Sequence, residues 1–455
     1  MFKKIEIWIV LIILIIQLIF TILLAAYVRR AHLSYRGENQ LDRPSKIAKF
    51  ISEIPNNIKK ISRDIISQDI GSAASYRLKN RFPNKKSFNG KPIDFEAYLL
   101  LSRYDGNEKR GVVELIDLRN FTVLHIWKSE NFLNTSNSAL NANVSLNYLN
   151  HPLLTKNGSV ITNTGYFLQK HNLNGEIEWL SPMDYNNINR RYHHSINKGS
   201  NNTIWACSRL FPFTADSRLG NTIEDFRDDA ITKIDLNTGL PIYDQSLSNI
   251  FKKHEMEYLI LGVGDEYFNH DPFHLNDIHQ VFENGKYWKE GDVFLSIRNQ
   301  SMVLLYRPNE DKIIWKGTGP FFRQHDVNIL DEKRISIFNN NSKLFNNNLG
   351  STVDGNSEII IYDFEKNQYS SYMKNSLKKY DVRTKGQGLH EIIDNGDLYI
   401  EETQYGRILY FDADGSLKWT YINKADNNEI YAIFWSRLLY SYEDVDLVHK
   451  SFQNK

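Results

Sequence analysis

The chain has 455 residues, 55 Lys and Arg against 54 Asp and Glu, 41% hydrophobic residues and 13% aromatics. A net charge of +1 with both signs interspersed provides no basic field, which excludes nucleic-acid binding as the main activity. Its one cysteine, Cys207, supports neither an intramolecular disulfide nor a thiolate zinc site, and 25 Tyr, 25 Phe and 8 Trp mark a folded protein.

The first predicted element lies at the N-terminus. From Ile7 to Val28 the chain is apolar except for Gln17 and Thr21, and 22 such residues are long enough to cross a hydrocarbon core. The run is longer than the apolar part of a signal peptide, and Ala25-Ala26-Tyr27 makes a poor cleavage site, so residues 1–30 read as an uncleaved membrane anchor. Lys3 and Lys4 precede it while Arg29, Arg30 and Arg36 follow, so charge alone does not orient it for export. Next, Ile47, Phe50, Ile51, Ile54, Ile58, Ile61 and Ile65 recur at spacings of three and four between lysines. This predicts an amphipathic helix, kinked at Pro55, within a linker over 31–85; it would lie on lipid or pack on the following domain.

Beyond that linker the hydrophobic period changes to two, and one unit recurs: an apolar strand, a polar turn, and a second strand ending near an aromatic residue. Its copies run from Ile116-Asp117-Leu118 to Trp127, from His171-Asn172 to Trp179, and from Ile234-Asp235 to Tyr243. Three more run from Tyr306-Arg307 to Trp315, from Ile361-Tyr362-Asp363 to Tyr369, and from Phe411-Asp412 to Trp419. Copies spaced by roughly 50 to 70 residues are the signature of a β-propeller. The expected fold is therefore all-β, a six-bladed β-propeller over 86–455 behind an N-terminal transmembrane helix and a short amphipathic segment.

A second register runs through the other half of each unit. Five segments begin with a polar residue, at His151, His194, Asn276, His325 and His390, followed by an aliphatic stretch. Equivalent positions on different blades converge where inner strands line the central channel, and imidazoles meeting there make a chemical site. The plainer reading is that these residues only satisfy backbone groups, but Ser, Asn or Asp would do that equally. His274 and Asn276 start one strand of a hairpin and Arg298 ends its partner, so the three are expected to face one cavity with His193 and His194. Arg298 offers a planar fork of donors to an oxyanion, and a permanent cation keeps nearby imidazoles neutral as nucleophiles or bases. A metal is the competing use of a histidine cluster, but a guanidinium disfavours a neighbouring dication; no metal site is expected. Asp277, Asp326 and Glu391 each follow a register residue and so point to the opposite face, toward structure.

The set His-x-Asn-Asp, Ser-x-Arg-Asn-Gln and Gln-His-Asp, with a preceding His-His, resembles the bacterial arylsulfate sulfotransferase family over roughly residues 90 to 425. That resemblance implies a six-bladed propeller that moves a sulfuryl group from a phenolic sulfate donor to a phenolic acceptor, without a nucleotide donor or other cofactor. Matched by motif, His325 is the nucleophile that forms a sulfohistidine. His274 and Arg298 bind sulfuryl oxygens, His194 is the remaining catalytic histidine, and Asn276 accompanies them; His193 and His390 are further substrate-binding candidates. It also implies an exported domain, on the periplasmic or extracellular side. The chain departs from the family in a longer loop from Phe282 to Gly291, in its anchor, and in lacking a disulfide.

Phe273, Phe321, Phe322 and Tyr405 could stack on a phenol ring, though blade packing is their ordinary use. Two other classes compete. One is a non-catalytic tethered propeller that binds an anionic or sulfated ligand or a protein, for which a nucleophile has no use. The other is a quinone redox enzyme, which would be coloured. Asn-x-Ser/Thr sites at Asn120, Asn143, Asn157 and Asn201 are what an Asn-rich chain yields by chance, Cys207 reads as a small core residue, and homo-oligomerisation is left open.

Overall fold

The structure, a computed structural model, describes residues 6–33, 86–128, 149–212, 226–262, 269–345 and 350–452, with isolated positions at 43–44, 47–48, 51, 82 and 219. Most of the expected amphipathic segment, and Asn143, lie outside the described residues. The chain divides into two units, Met1–Ser72 and Ala73–Lys455.

In the first unit a helix spans Ile7–Leu33, and its stretch Ile7–Val28 is apolar and long enough to cross a membrane. None of the side chains in that stretch is buried, and most are exposed, as a lipid-facing helix requires. The Thr21 hydroxyl donates to the Gln17 carbonyl at 2.8 Å, which removes a free donor from the apolar span.

The second unit is a six-bladed propeller. From the axis outward, blade 1 holds strands Arg437–Leu439, Tyr98–Asp105, Arg110–Asp117 and Thr122–Lys128, and blade 2 holds Asn150–Leu154, Val160–Asn163, Leu168–His171 and Ile177–Leu180. Blade 3 runs through Ile188–Gly199, Thr203–Phe211, Asp229–Asp235 and Pro241–Ser246, and blade 4 through Leu275–Gln280, Val293–Ile297, Met302–Arg307 and Lys312–Thr318. Blade 5 has Val327–Ile329, Arg334–Asn339, Glu358–Asp363 and Gln368–Tyr372; blade 6 has Leu389–Ile392, Leu398–Glu402, Arg407–Phe411 and Leu417–Ile422. The ring closes twice: Arg437–Leu439 supplies the inner strand of blade 1, and Ser87–Gly90 pairs with the outer strand of blade 6.

Each recurring polar turn joins the third and fourth strands of a blade. Asp117, Asn172, Asp235 and Asp363 accept the backbone N–H two residues on, so the side chain itself folds the turn. Among the described residues each pair of neighbouring blades encloses one apolar core, and a smaller cluster of Tyr104, Ala425, Tyr431 and Phe434 lies beside them. In blade 1, Leu99 and Leu101 pack toward blade 6 while Tyr98 and Leu100 pack toward blade 2, because successive side chains take opposite faces. Strands buried on both faces therefore read as continuous apolar runs.

Side chains one place after the register residues join blade to blade. Ser195 Oγ accepts from Ile278 N at 3.3 Å, Asp277 Oδ2 from Val327 N at 3.1 Å, and Asp326 Oδ2 from His390 N at 3.0 Å. Each link ties the start of one inner strand to the next, which fixes the register residues relative to one another. The loop from Phe282 to Gly291 follows its inner strand, so it lies at the end of that strand away from His274, where Phe282 lines a cavity with His151 and His279. Its Trp288 is buried between blades 4 and 5. Cys207 is buried in the core beside blade 4.

Candidate active site

Near the start of each inner strand, or in blade 3 at a bulge within it, the backbone adopts the left-handed region. His151 (φ 51°), His194 (50°), His274 (55°), Arg323 (53°), Gln387 (62°) and Trp435 (56°) do so in blades 2, 3, 4, 5, 6 and 1. A non-glycine residue there carries strain of about 1–2 kcal/mol, and its recurrence around the ring turns side chains out of strand alternation at one end of the channel.

Four imidazoles and one indole meet there. The His194 ring lies 5.0 Å from His274, 6.1 Å from His325, 5.1 Å from His193 and 5.9 Å from Trp435, centroid to centroid. His151 stacks on Trp435 at 4.7 Å. The hydrogen bonds assign the protons. Asn340 donates both amide hydrogens to the Thr384 and Gln387 carbonyls, so its Oδ1, 2.6 Å from His325 Nδ1, accepts from that nitrogen. His325 Nε2 then holds the lone pair, and it accepts from the Gln387 N–H at 2.7 Å. His274 Nδ1 faces Asp271 Oδ2 at 2.7 Å, which leaves its Nε2 for a ligand.

His193 Nε2 faces only acceptors, Ser208 O and Asp229 Oδ1, each at 3.2 Å, so in a neutral ring its Nδ1 carries the lone pair. That nitrogen lies 2.8 Å from His194 Nδ1, which must be the donor, and His194 Nε2 is likewise left as an acceptor. Thus His194, His274 and His325 are each held through Nδ1.

Burial, then the Arg298 charge, holds the His325 pKa well below the usual 6.5, and burial with the neighbouring imidazoles does the same for His194. His193 is lowered by burial and by Arg209, against the opposing pull of Asp229. Burial opposes ionisation of Asp271, but its hydrogen bond to His274 and that ring's charge outweigh it and hold the carboxyl low. Arg298 itself is pushed down to about 10 by burial and by Arg323.

The residues after Arg298 explain its motif. Asn299 Nδ2 donates to the Asp271 carbonyl at 2.6 Å and Gln300 Nε2 to the Pro272 carbonyl at 2.9 Å, while Arg298 N donates to the His274 carbonyl at 3.2 Å. The turn that carries the guanidinium thereby holds the segment that carries His274. Asn276 is buried and donates to the Gln324 carbonyl at 2.8 Å, so it positions the strand entry that carries His325.

The structure thus brings His193, His194, His274, His325 and Arg298 to one place, with Asn276 behind them. It does not bring His390 there: that ring lies 2.7 Å from Ser336 Oγ and 2.8 Å from Asp326 Oδ2, inside the packing of blades 5 and 6. Phe273 and Phe321 are fully packed in the blade cores, whereas Phe322 is 42% exposed at the mouth. Sequence reading passed over Trp435, Asn340, Gln387 and Arg323. Arg323 had a signal, since it stands two places before His325 as His274 stands two places before Asn276. Asn340 and Gln387 had none, because their roles depend on a return of the chain from the next blade.

A cavity of about 230 Å³ continues along the inner strands past His151, lined by Asp277, His279, Asp326, Glu391 and Arg437 among others. Burial and the Asp326 charge raise Asp277 to about 7 and Glu391 to about 8. Among the described residues no group of three or more His, Cys, Asp and Glu is arranged to hold a metal ion.

Three solved structures are similar to this chain. A protein of unknown function from Bacteroides caccae has 10% identity and a TM-score of 0.46, over 76% of this chain and 99% of that one. A streptogramin B lyase has 10% identity and a TM-score of 0.38, over 77% and 96%. A virginiamycin B lyase from Staphylococcus aureus has 11% identity and a TM-score of 0.33, over 60% and 70%. No curated protein matches the chain. The sequence model described as arylsulfotransferase (ASST) matches residues 151–424, from the His151 strand through the outer strand of blade 6, and the chain belongs to that family.

Proposed function

We propose that this protein transfers a sulfuryl group from an aryl sulfate to a phenolic acceptor in two displacements through a sulfohistidine at His325, without a nucleotide donor. Family membership supports sulfotransferase chemistry. The observation that carries the finer reading is a neutral His325, held by Asn340 through Nδ1 and set beside Arg298, with two more Nε2 atoms close by.

In the first displacement Arg298 and His274, the latter as an imidazolium paired with Asp271 and donating from Nε2, bind sulfuryl oxygens, and the Gln387 N–H yields its place on His325 Nε2 to the sulfur. The Nε2 lone pair forms the N–S bond while the S–O(aryl) bond breaks and its electron pair leaves on the aryl oxygen. An aryloxide has a conjugate pKa of about 10, so it can leave as the anion and take its proton from water. The lone pair on His194 Nε2 then takes the acceptor phenol's proton, the phenolate oxygen attacks sulfur and releases His325, and the ring returns its proton to water. Fixed donors aimed at the oxygens of the transferring group are the expected source of rate. The propeller works on the exported side of the membrane, tethered by the helix Ile7–Leu33.

A second reading, a tethered module that only binds anions, draws on the Gln387 contact, which satisfies His325 Nε2 in the absence of any ligand. Steady-state kinetics separate the two. With a chromogenic aryl sulfate, a phenol acceptor and no nucleotide, transfer predicts acceptor-dependent chromophore release with parallel double-reciprocal lines. No release across several donors would leave the binding reading.

A further inference from the structure

Arg323 is a cation at the site that no family motif names and, unlike Arg209, is not paired with Asp229. It occupies in blade 5 the left-handed place that His274 holds in blade 4, each two residues ahead of a register residue, so its backbone turns its side chain as that of His274 is turned. Its N–H donates to Ser301 Oγ at 3.3 Å, and Ser301 closes the turn begun by Arg298, donating to the Arg298 carbonyl at 3.0 Å. The two guanidinium-bearing residues therefore share one turn.

Among the described residues neither guanidinium has a carboxylate within ion-pairing distance. Arg298 Nη1 donates to the neutral Asn299 Oδ1 at 2.8 Å, and the nearby Asp271 is engaged by His274 and by Arg227. Burial and the charge of Arg323 depress the pKa of Arg298, against the opposing pull of Asp271, so the two guanidinium groups feel one another. Beside Arg323, the exposed Phe322 ring lies beneath the Lys343 ammonium at 4.6 Å, and Lys343 is paired with Asp354. The mouth on this side thus offers an aromatic face and one uncommitted cation beyond the cation nearest His325.

We propose that Arg323 is a second anion-binding residue of this site and selects aryl sulfates that carry a further negative group on the ring. The inference rests on the reading of Arg298 as the sulfuryl ligand. With that oxyanion on Arg298, a carboxylate or second sulfate on the same ring meets Arg323, and a guanidinium–carboxylate contact is the strong kind of hydrogen bond.

The test uses the full chain in detergent micelles and two probes whose C–S bond cannot transfer, benzenesulfonate and 4-sulfobenzoate, titrated calorimetrically. Wild type is expected to bind the dianion about tenfold more tightly, the usual size of one charge-assisted contact. Arg323→Gln should bring that ratio to near one, and Arg323→Lys, which keeps the charge, should retain most of it. An equal affinity for the two probes in wild type overturns the proposal whatever the variants do, as does a ratio unchanged by Arg323→Gln in a protein with the wild-type melting transition. Transfer from 4-nitrophenyl sulfate, run alongside, reports separately on the sulfotransferase reading: dianion preference without turnover would retain Arg323 and remove the transfer chemistry.

Discussion

At the scale of single residues, the site is a set of imidazoles whose protonation is decided by what holds Nδ1. Asn340 is the clearest case, since a neutral amide with both hydrogens committed can only accept from His325. Asn340→Ala frees that ring to take the other tautomer, and kcat is expected to fall about 10²-fold, with a melting temperature lowered by a few °C because the Thr384 and Gln387 carbonyls lose their buried donor. Arg298 acts on the same ring through charge. His325 must be unprotonated to attack, and its lowered pKa keeps it so as pH falls through 6.5. Removing a neighbouring positive charge raises that pKa. In Arg298→Ala, therefore, kcat/KM should drop and the acid limb of its pH profile should move to higher pH; a limb that stays in place would show that the charge does not reach His325.

Among the elements, the strand entries carry the function and the outer hairpins carry the repeat. The six polar turns each mark one blade, and four of them were legible because Asx-type turns depend on a local residue pattern. The polar register was legible as far as strand alternation holds. It failed for His390, whose backbone stays in an ordinary strand, so its ring remains in blade packing. The left-handed entries that turn His194 and His274 to the axis have no short sequence pattern, because they are imposed by closure of the ring. Gly388, beside Gln387, shows the same closure. At φ +100° a Cβ there would lie 2.8 Å from Phe338 Cε1 and from Thr384 Cγ2. Gly388→Ala is expected to cost about 2–3 kcal/mol in urea unfolding from strain and overpacking, and to lower transfer by displacing the Gln387 N–H from its place at His325.

For the whole molecule, six blade interfaces and two closures make a rigid ring around a channel that is apolar in its walls and ionisable along its axis. Glu391 ionises near 4.5 when unfolded and is raised to about 8 in the fold by burial and by Asp326. Its contribution to stability is present below pH 4.5 and is lost as pH rises through 8. The buried histidines act in the opposite sense and only below their unfolded value of 6.5. Between pH 6.5 and 8 the carboxyls act alone, so Tm should fall across that window by about 1–2 °C, and Glu391→Gln should flatten the fall. The same ring fixes His325 against Arg298 for the chemistry. The measurement that reaches this claim most directly is the intact mass of the protein after brief exposure to an aryl sulfate without acceptor. Wild type is predicted to gain one sulfuryl group that a phenol then removes, and a folded His325→Asn protein to gain none; an adduct on that variant, or acceptor-dependent transfer by it, would contradict the account.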